Sequence, residues 1–170
     1  ERAIESRQNS FNNISAQLSH AMSAADRLID TMFKLYEQPL SYDFDPSWAD
    51  NVHQFDHYYY QSIDDEVGEI VGQGKFATTS YEINQWRRVI ALAPSFNITL
   101  SLMQSLEAVA YVNEQGFVYI KRRSTAKSEF LTSVLDNKFR PILVNSNKLT
   151  SSPVLTINGR AYFAIGKQRT

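Results

Sequence analysis

Between Phe11 and Leu35 the chain carries one unbroken hydrophobic seam: Phe11, Ile14, Leu18, Ala21, Ala25, Leu28, Met32 and Leu35. The steps alternate between three and four residues, and no Gly or Pro interrupts the chain before Pro39. Such spacing keeps a narrow stripe on one side of a helix. At about 1.5 Å per residue this helix would be roughly 50 Å long, more than a domain of this size needs. It predicts an element that reaches past its own domain toward a partner subunit or a membrane. A helix lying on a sheet also needs an apolar stripe, normally a wider one. Met22, Ile29, Phe33 and Tyr36 widen the stripe toward the carboxyl end, whereas residues 1–10 are mostly polar. The later half is expected on a sheet, the earlier part as a stalk or dimer contact.

The remaining chain has a different texture. The whole sequence of 170 residues, 43% hydrophobic and 21% charged, suits one domain with a single core. A net charge of -1 gives no bulk attraction to nucleic acid. No apolar run approaches a membrane span. The chain opens Glu1-Arg2-Ala3 without a signal peptide, and it is expected to be a piece of something longer. With no cysteine there is neither a disulfide scaffold nor a thiolate metal site.

Pro39 is expected to stop the long helix near Glu37, which divides the chain into a helix over 1–38 and a sensor-like unit over 39–170. Aromatic and β-branched residues from Phe55 to Gly72 surround the acidic stretch Asp64-Asp65-Glu66 and predict a hairpin. From Ser80 the spacing of Ile83, Trp86, Arg87 and Ile90 predicts a capped helix ending before Pro94. A short helix is expected at 95–105 and another over 127–135. Two more hairpins follow from alternation, one turning at Asn113-Glu-Gln-Gly116 and one at Asn158-Gly159. Three hairpins with helices between them predict an α+β fold, the long helix packed on an antiparallel sheet with flanking helices.

Two stretches resemble a known family. Ser105-Leu-Glu-Ala-Val-Ala-Tyr-Val-Asn-Glu-Gln-Gly-Phe-Val-Tyr-Ile is similar to the central hairpin of the extracytoplasmic Cache (PAS-like) sensor domains of bacterial receptors. Ser151-Ser-Pro-Val-Leu-Thr-Ile-Asn-Gly-Arg-Ala-Tyr-Phe-Ala-Ile-Gly resembles their closing hairpin, and the long first helix fits the element that rises from the membrane beside the sheet. The resemblance implies a periplasmic ligand-sensing domain between two membrane spans outside this sequence. It implies an output domain, a histidine kinase, diguanylate cyclase or chemoreceptor, in the full-length protein. A homodimer through the first helix is the expected assembly. The chain departs from the family pattern at Lys121-Arg122-Arg123, where many relatives have an aromatic-Pro-aromatic stretch. It departs again at Lys167-Gln168-Arg169, where an acidic residue is common. A cytoplasmic PAS-like binding module, or a degenerate sensor that binds a protein, would use the same hairpins.

For a ligand, alternation along 117–123 puts Phe117, Tyr119, Lys121 and Arg123 on one face. Tyr111 and Tyr119 are candidate pocket walls, and Lys121, Arg123 and Arg140 candidate contacts to an anionic small molecule, since Arg forks suit carboxylates and phosphates. The competing reading is a strand end whose cations pair with nearby acids. No cofactor is expected. His53 and His57 are four apart but fall on a strand, too far apart for one metal. Gly72-Gln-Gly-Lys75 lacks the spacing of a phosphate loop, and Asp64-Asp65-Glu66 lacks the other ligands of a calcium loop. Without Cys or a Gly-x-Ser-x-Gly turn, catalysis by this domain is not expected.

Overall fold

A computed structural model describes residues 2–39, 50–64, 67–77, 79–113, 117–123, 148–151, 154–157, 160–162 and 164–168. The first helix, α1, is a single rod of 36 residues, Arg2–Glu37. It ends where Pro39 predicts, with the Gln38 amide turning back onto Leu35 O at 3.2 Å.

A five-stranded antiparallel sheet follows, built from β1 (His53–Gln54), β2 (Tyr58–Asp64), β3 (Gly68–Gln73), β4 (Ala108–Val112) and β5 (Phe117–Arg122) in the order β1-β2-β3-β5-β4. Each of the first two hairpins keeps its strands adjacent. They join through β3 and β5, where Ile70 faces Tyr119 and Gly72 faces Phe117. Between the hairpins lie α2 (Ser80–Ile90) and α3 (Ala93–Leu102). Thr79, one residue before the expected cap, closes the start of α2 by accepting from the Glu82 amide, and its hydroxyl reaches the Glu82 carboxylate at 2.9 Å. Pro94 stands in the first turn of α3, where a missing amide donor costs nothing. Stop signal and start signal thus coincide.

Directly opposed residues of antiparallel strands share a face, so Tyr59, Ile70, Phe117 and Tyr119 project together. The two short helices cover them with Trp86, Val89, Ile90, Leu92, Ala93 and Phe96. Phe76 and Trp86 lie 4.5 Å apart between ring centroids, and Phe96 stacks on Tyr119 at 5.2 Å. Tyr59 faces Gly72 across the ladder, and its ring occupies the space where any side chain at 72 would begin. Gly68 has φ +119, and a Cβ there would come within 2.7 Å of Ile120 O. Val71, Val118 and Ile120 are buried on the opposite face.

The closing hairpin departs from expectation. β7 (Leu155–Ile157) and β8 (Arg160–Tyr162) pair across Asn158-Gly159 as predicted. They form a separate ribbon instead of extending the sheet, and β6 (Thr150–Ser151) pairs with β9 (Ile165–Gly166) in another. Alternation and a turn specify a strand pair, but not which edge it joins. The helix expected over 127–135 lies outside the described residues.

Candidate functional site

Most of the expected ligand residues among those described are engaged inside the fold. Tyr119 is wholly buried, with its hydroxyl donating to Val67 O at 2.5 Å. It is a core residue, not a pocket wall. Tyr111 lies directly across the ladder from Tyr119 but stacks its ring on Tyr36 of α1 at 5.0 Å. The Arg123 guanidinium donates to Leu100 O, to Met103 O at 3.2 Å and to Leu106 O at 3.0 Å. These oxygens belong to the end of α3 and the loop beyond it. A helix terminus leaves carbonyls without intrahelical donors and carries partial negative charge. Arg123 satisfies that end. Arg140 lies outside the described residues.

The second arginine has an internal partner as well. Arg122 forks onto Glu69 of β3, Nε to Oε2 at 2.7 Å and Nη2 to Oε1 at 2.6 Å. Their side chains are 9% and 15% exposed. Tyr60 adds its hydroxyl to the same carboxylate at 2.9 Å. Burial first, and then the Glu69 carboxylate, hold the Tyr60 phenol above its ordinary range. The Lys121 side chain alone of the three consecutive cations makes no hydrogen bond or ion pair among the described residues. It sits half-buried opposite Val109.

The polar contacts converge instead where α1 meets the domain. Tyr36 is held from three directions. Its hydroxyl donates to Gln85 Oε1 at 2.5 Å, its carbonyl accepts from Arg88 Nη1 at 3.2 Å, and its ring carries Tyr111. The Arg88 guanidinium also stands 5.9 Å from the centre of the Tyr36 ring, within cation–π range. Met32, one turn earlier, packs against the core. A second attachment lies nearer the middle of α1. Lys167, just after β9, places its ammonium 2.7 Å from Asp26 and 2.9 Å from Asp30. Hydrogen bonds to Asp26 and then Asp30 hold the Lys167 ammonium above its ordinary pKa range. The two attachments are ten residues apart, roughly 15 Å along the helix. Every residue from Arg2 to His20 is exposed, including Ile4 at 71% and Phe11 at 66%.

Sequence reasoning missed Gln85, Arg88, Asp26, Asp30 and Lys167 as a set, because each is an ordinary surface residue until the packing is known. The signal that was present was Tyr36, an aromatic at the end of the widened stripe. His53 and His57 are both exposed, and no group of three or more His, Asp or Glu positioned for a metal occurs among the described residues. A shallow, open concave surface runs along Arg2, Glu5, Asn9 and Asn13, a polar side of α1. No described helix is long and apolar enough to cross a membrane.

Comparison with protein-family profiles, curated proteins and solved structures finds no match. The chain is α+β, and its reading beyond that rests on the attachment of α1.

Proposed function

We propose that this chain is a ligand-sensing domain of the PAS/Cache-like type, periplasmic, from a membrane-bound bacterial signalling receptor. In this reading α1 carries the state of the sheet to a cytoplasmic output domain, and the domain itself performs no reaction. The observation that carries it is the division of α1. Its second half is fastened at Tyr36 and at Asp26/Asp30, while its first half leaves the domain uncovered. A change in the central hairpin moves Tyr111, hence Tyr36, hence a rigid rod. Such a rod can bias two packings of whatever adjoins its far end.

Lys121 is the remaining candidate among the described cations for an anionic ligand, with its neighbours Arg122 and Arg123 engaged elsewhere. A thermal-shift screen with small carboxylates, amines and sugars tests the sensing claim. A carboxylate is expected to raise the melting temperature, and Lys121→Gln to cancel the rise. If nothing anionic stabilises the chain, the anionic ligand is wrong. The filled sheet face, with Phe117 and Tyr119 both buried, favours a second reading, a sensor that answers to a protein partner. The location is tested separately in the full-length gene. Hydrophobic spans directly before Glu1 and soon after Thr170 are expected, and their absence would leave the cytoplasmic PAS-like module.

A further inference from the structure

The five-stranded sheet ends on two very different edges. β1 is two residues long, and exposed His53, Asp50 and Asp56 stand on or beside it. Shortness and charge are how a sheet edge is kept from pairing with other chains. β4 has neither protection. Its residues Ala108–Val112 include no charge, no Pro and no Gly, and their register against β5 runs without a bulge. Among the described residues no strand lies on its outer side.

The hydrogen bonds of the hairpin decide which groups that edge offers. The Asn113 amide donates to Phe117 O at 2.8 Å, and the Arg123 amide to Glu107 O at 2.8 Å. Bonded pairs alternate along an antiparallel ladder, so Tyr111 bonds with Tyr119, and Val109 with Lys121, through their backbones. The amides and carbonyls of Ala108, Ala110 and Val112 therefore point outward. Their side chains share a face with Val118 and Ile120, away from α2 and α3. Ala110, in the middle, is exposed.

Lys121 distinguishes between occupants of this edge. Its side chain is half-buried on the helix side of β5, directly opposite Val109, and no carboxylate among the described residues meets it. A strand added outside β4 would lie roughly 10 Å from β5, a gap that a lysine and a glutamate side chain close between them. A second copy pairing antiparallel about Ala110 would set another tyrosine opposite Val109 and leave the ammonium unmatched. An extended segment with an acidic residue at that place matches it.

We infer that the edge of β4 binds an extended peptide segment of a partner protein, added to the sheet with a carboxylate facing Lys121 and apolar side chains beside Ala108 and Ala110. Backbone bonds to Ala108, Ala110 and Val112 supply affinity, and Lys121 supplies selectivity. Binding at the edge stands on the sheet alone. Its transmission rests on the reading of a sensor that answers to a protein, because Tyr111 lies in the augmented strand and stacks on Tyr36 of α1.

The probe is a capped peptide, Val-Thr-Val-Glu-Val-Thr-Val, titrated with the 170-residue chain by fluorescence polarisation. Saturable binding is expected, about tenfold weaker when Gln replaces Glu in the probe. Lys121→Gln should erase that difference. Ala110→Pro removes an amide that the ladder does not use, a change that edge strands tolerate. It should weaken binding about tenfold or more and leave the thermal melt little changed. A probe N-methylated at the two valines beside Glu makes the same test on the native chain, should Ala110→Pro not fold, and is expected not to bind. In hydrogen exchange the peptide should slow the outward amides of Ala110 and Val112 more than those of Val109 and Tyr111. No saturable binding, equal affinity for the N-methylated probe, or unchanged exchange over 108–112 would overturn the peptide site. Equal affinity for the Glu and Gln probes would overturn the role of Lys121. Self-association that Ala110→Pro abolishes would make a second copy the occupant and overturn the inference. Protection over 108–112 with exchange over 32–37 unchanged would uphold the site and count against transmission through α1.

Discussion

The two halves of α1 share one spacing and have different surroundings. From Ala21 to Met32 the stripe is half-buried, and Met32 and Tyr36 rest on the core. From Arg2 to His20 the same stripe meets solvent. A heptad pattern therefore marks a face that must be covered without naming what covers it. The neighbouring residues carry that information. Where the domain docks, the stripe gains Met22, Ile29, Phe33 and Tyr36, and where it does not, Gln8, Ser10, Ser15 and Gln17 flank the seam.

The difference can be broken most directly at Tyr36. Replacing it with Ala removes a stacked ring, a hydrogen bond and a cation–π contact. This should cost about 2–3 kcal/mol in chemical denaturation. The same truncation at exposed Phe11 should change the stability of the dilute monomer by less than about 0.5 kcal/mol. Equal losses at the two sites would mean that α1 is not divided as described.

Alkaline titration sharpens the contrast, because the docked half rests on a core containing Tyr59. Burial, then the Glu82 charge, push the Tyr59 phenol up to about 12 from 10.0. The folded state thus favours the neutral phenol. Its contribution is complete below pH 10 and is lost as pH rises from 10 through about 12. The loss should be of order 2 kcal/mol, followed by unfolding at fixed denaturant, and Tyr59→Phe should blunt it. A flat stability profile up to pH 12 would contradict it.

Smaller effects are expected at the other attachment. Lys167→Met should destabilise by about 0.5–1 kcal/mol and lose its salt dependence, since Asp26 and Asp30 remain partly exposed. Hydrogen exchange should quicken around residues 24–31 in this variant and stay unchanged over 2–20. Exchange that rose equally in both segments would show that Lys167 holds the rod as a whole.

Much of the architecture was legible locally. Pro39 marks the end of α1 because its ring disfavours helix at the preceding residue, and Pro94 marks the start of α3, where its missing amide donor is not needed. Alternation along 117–123 put Phe117 and Tyr119 on one face, and both belong to the core cluster under the helices while Val118 and Ile120 do not. The candidate site was less legible for a physical reason. Lys121, Arg122 and Arg123 look like one basic cluster, but each points into a different long-range setting. Arg122 meets Glu69 only because β3 and β5 pair in one register, and Arg123 meets α3 only because that helix ends beside the strand. Register and helix placement are tertiary outcomes that local patterns do not encode. The separate ribbon of the closing hairpin belongs to the same class.

The contact between Lys167 and Asp30 joins residues 137 positions apart. During synthesis at about 5–20 residues per second, the aspartates wait roughly 7 to 27 seconds for their lysine. Tyr36 can find Gln85, Arg88 and Tyr111 well before then. The rod is therefore hinged first and clasped last. A chain released short of residue 167 would present a finished sheet with α1 held at one end only, so the clasp reports whether translation of this region reached its final strand.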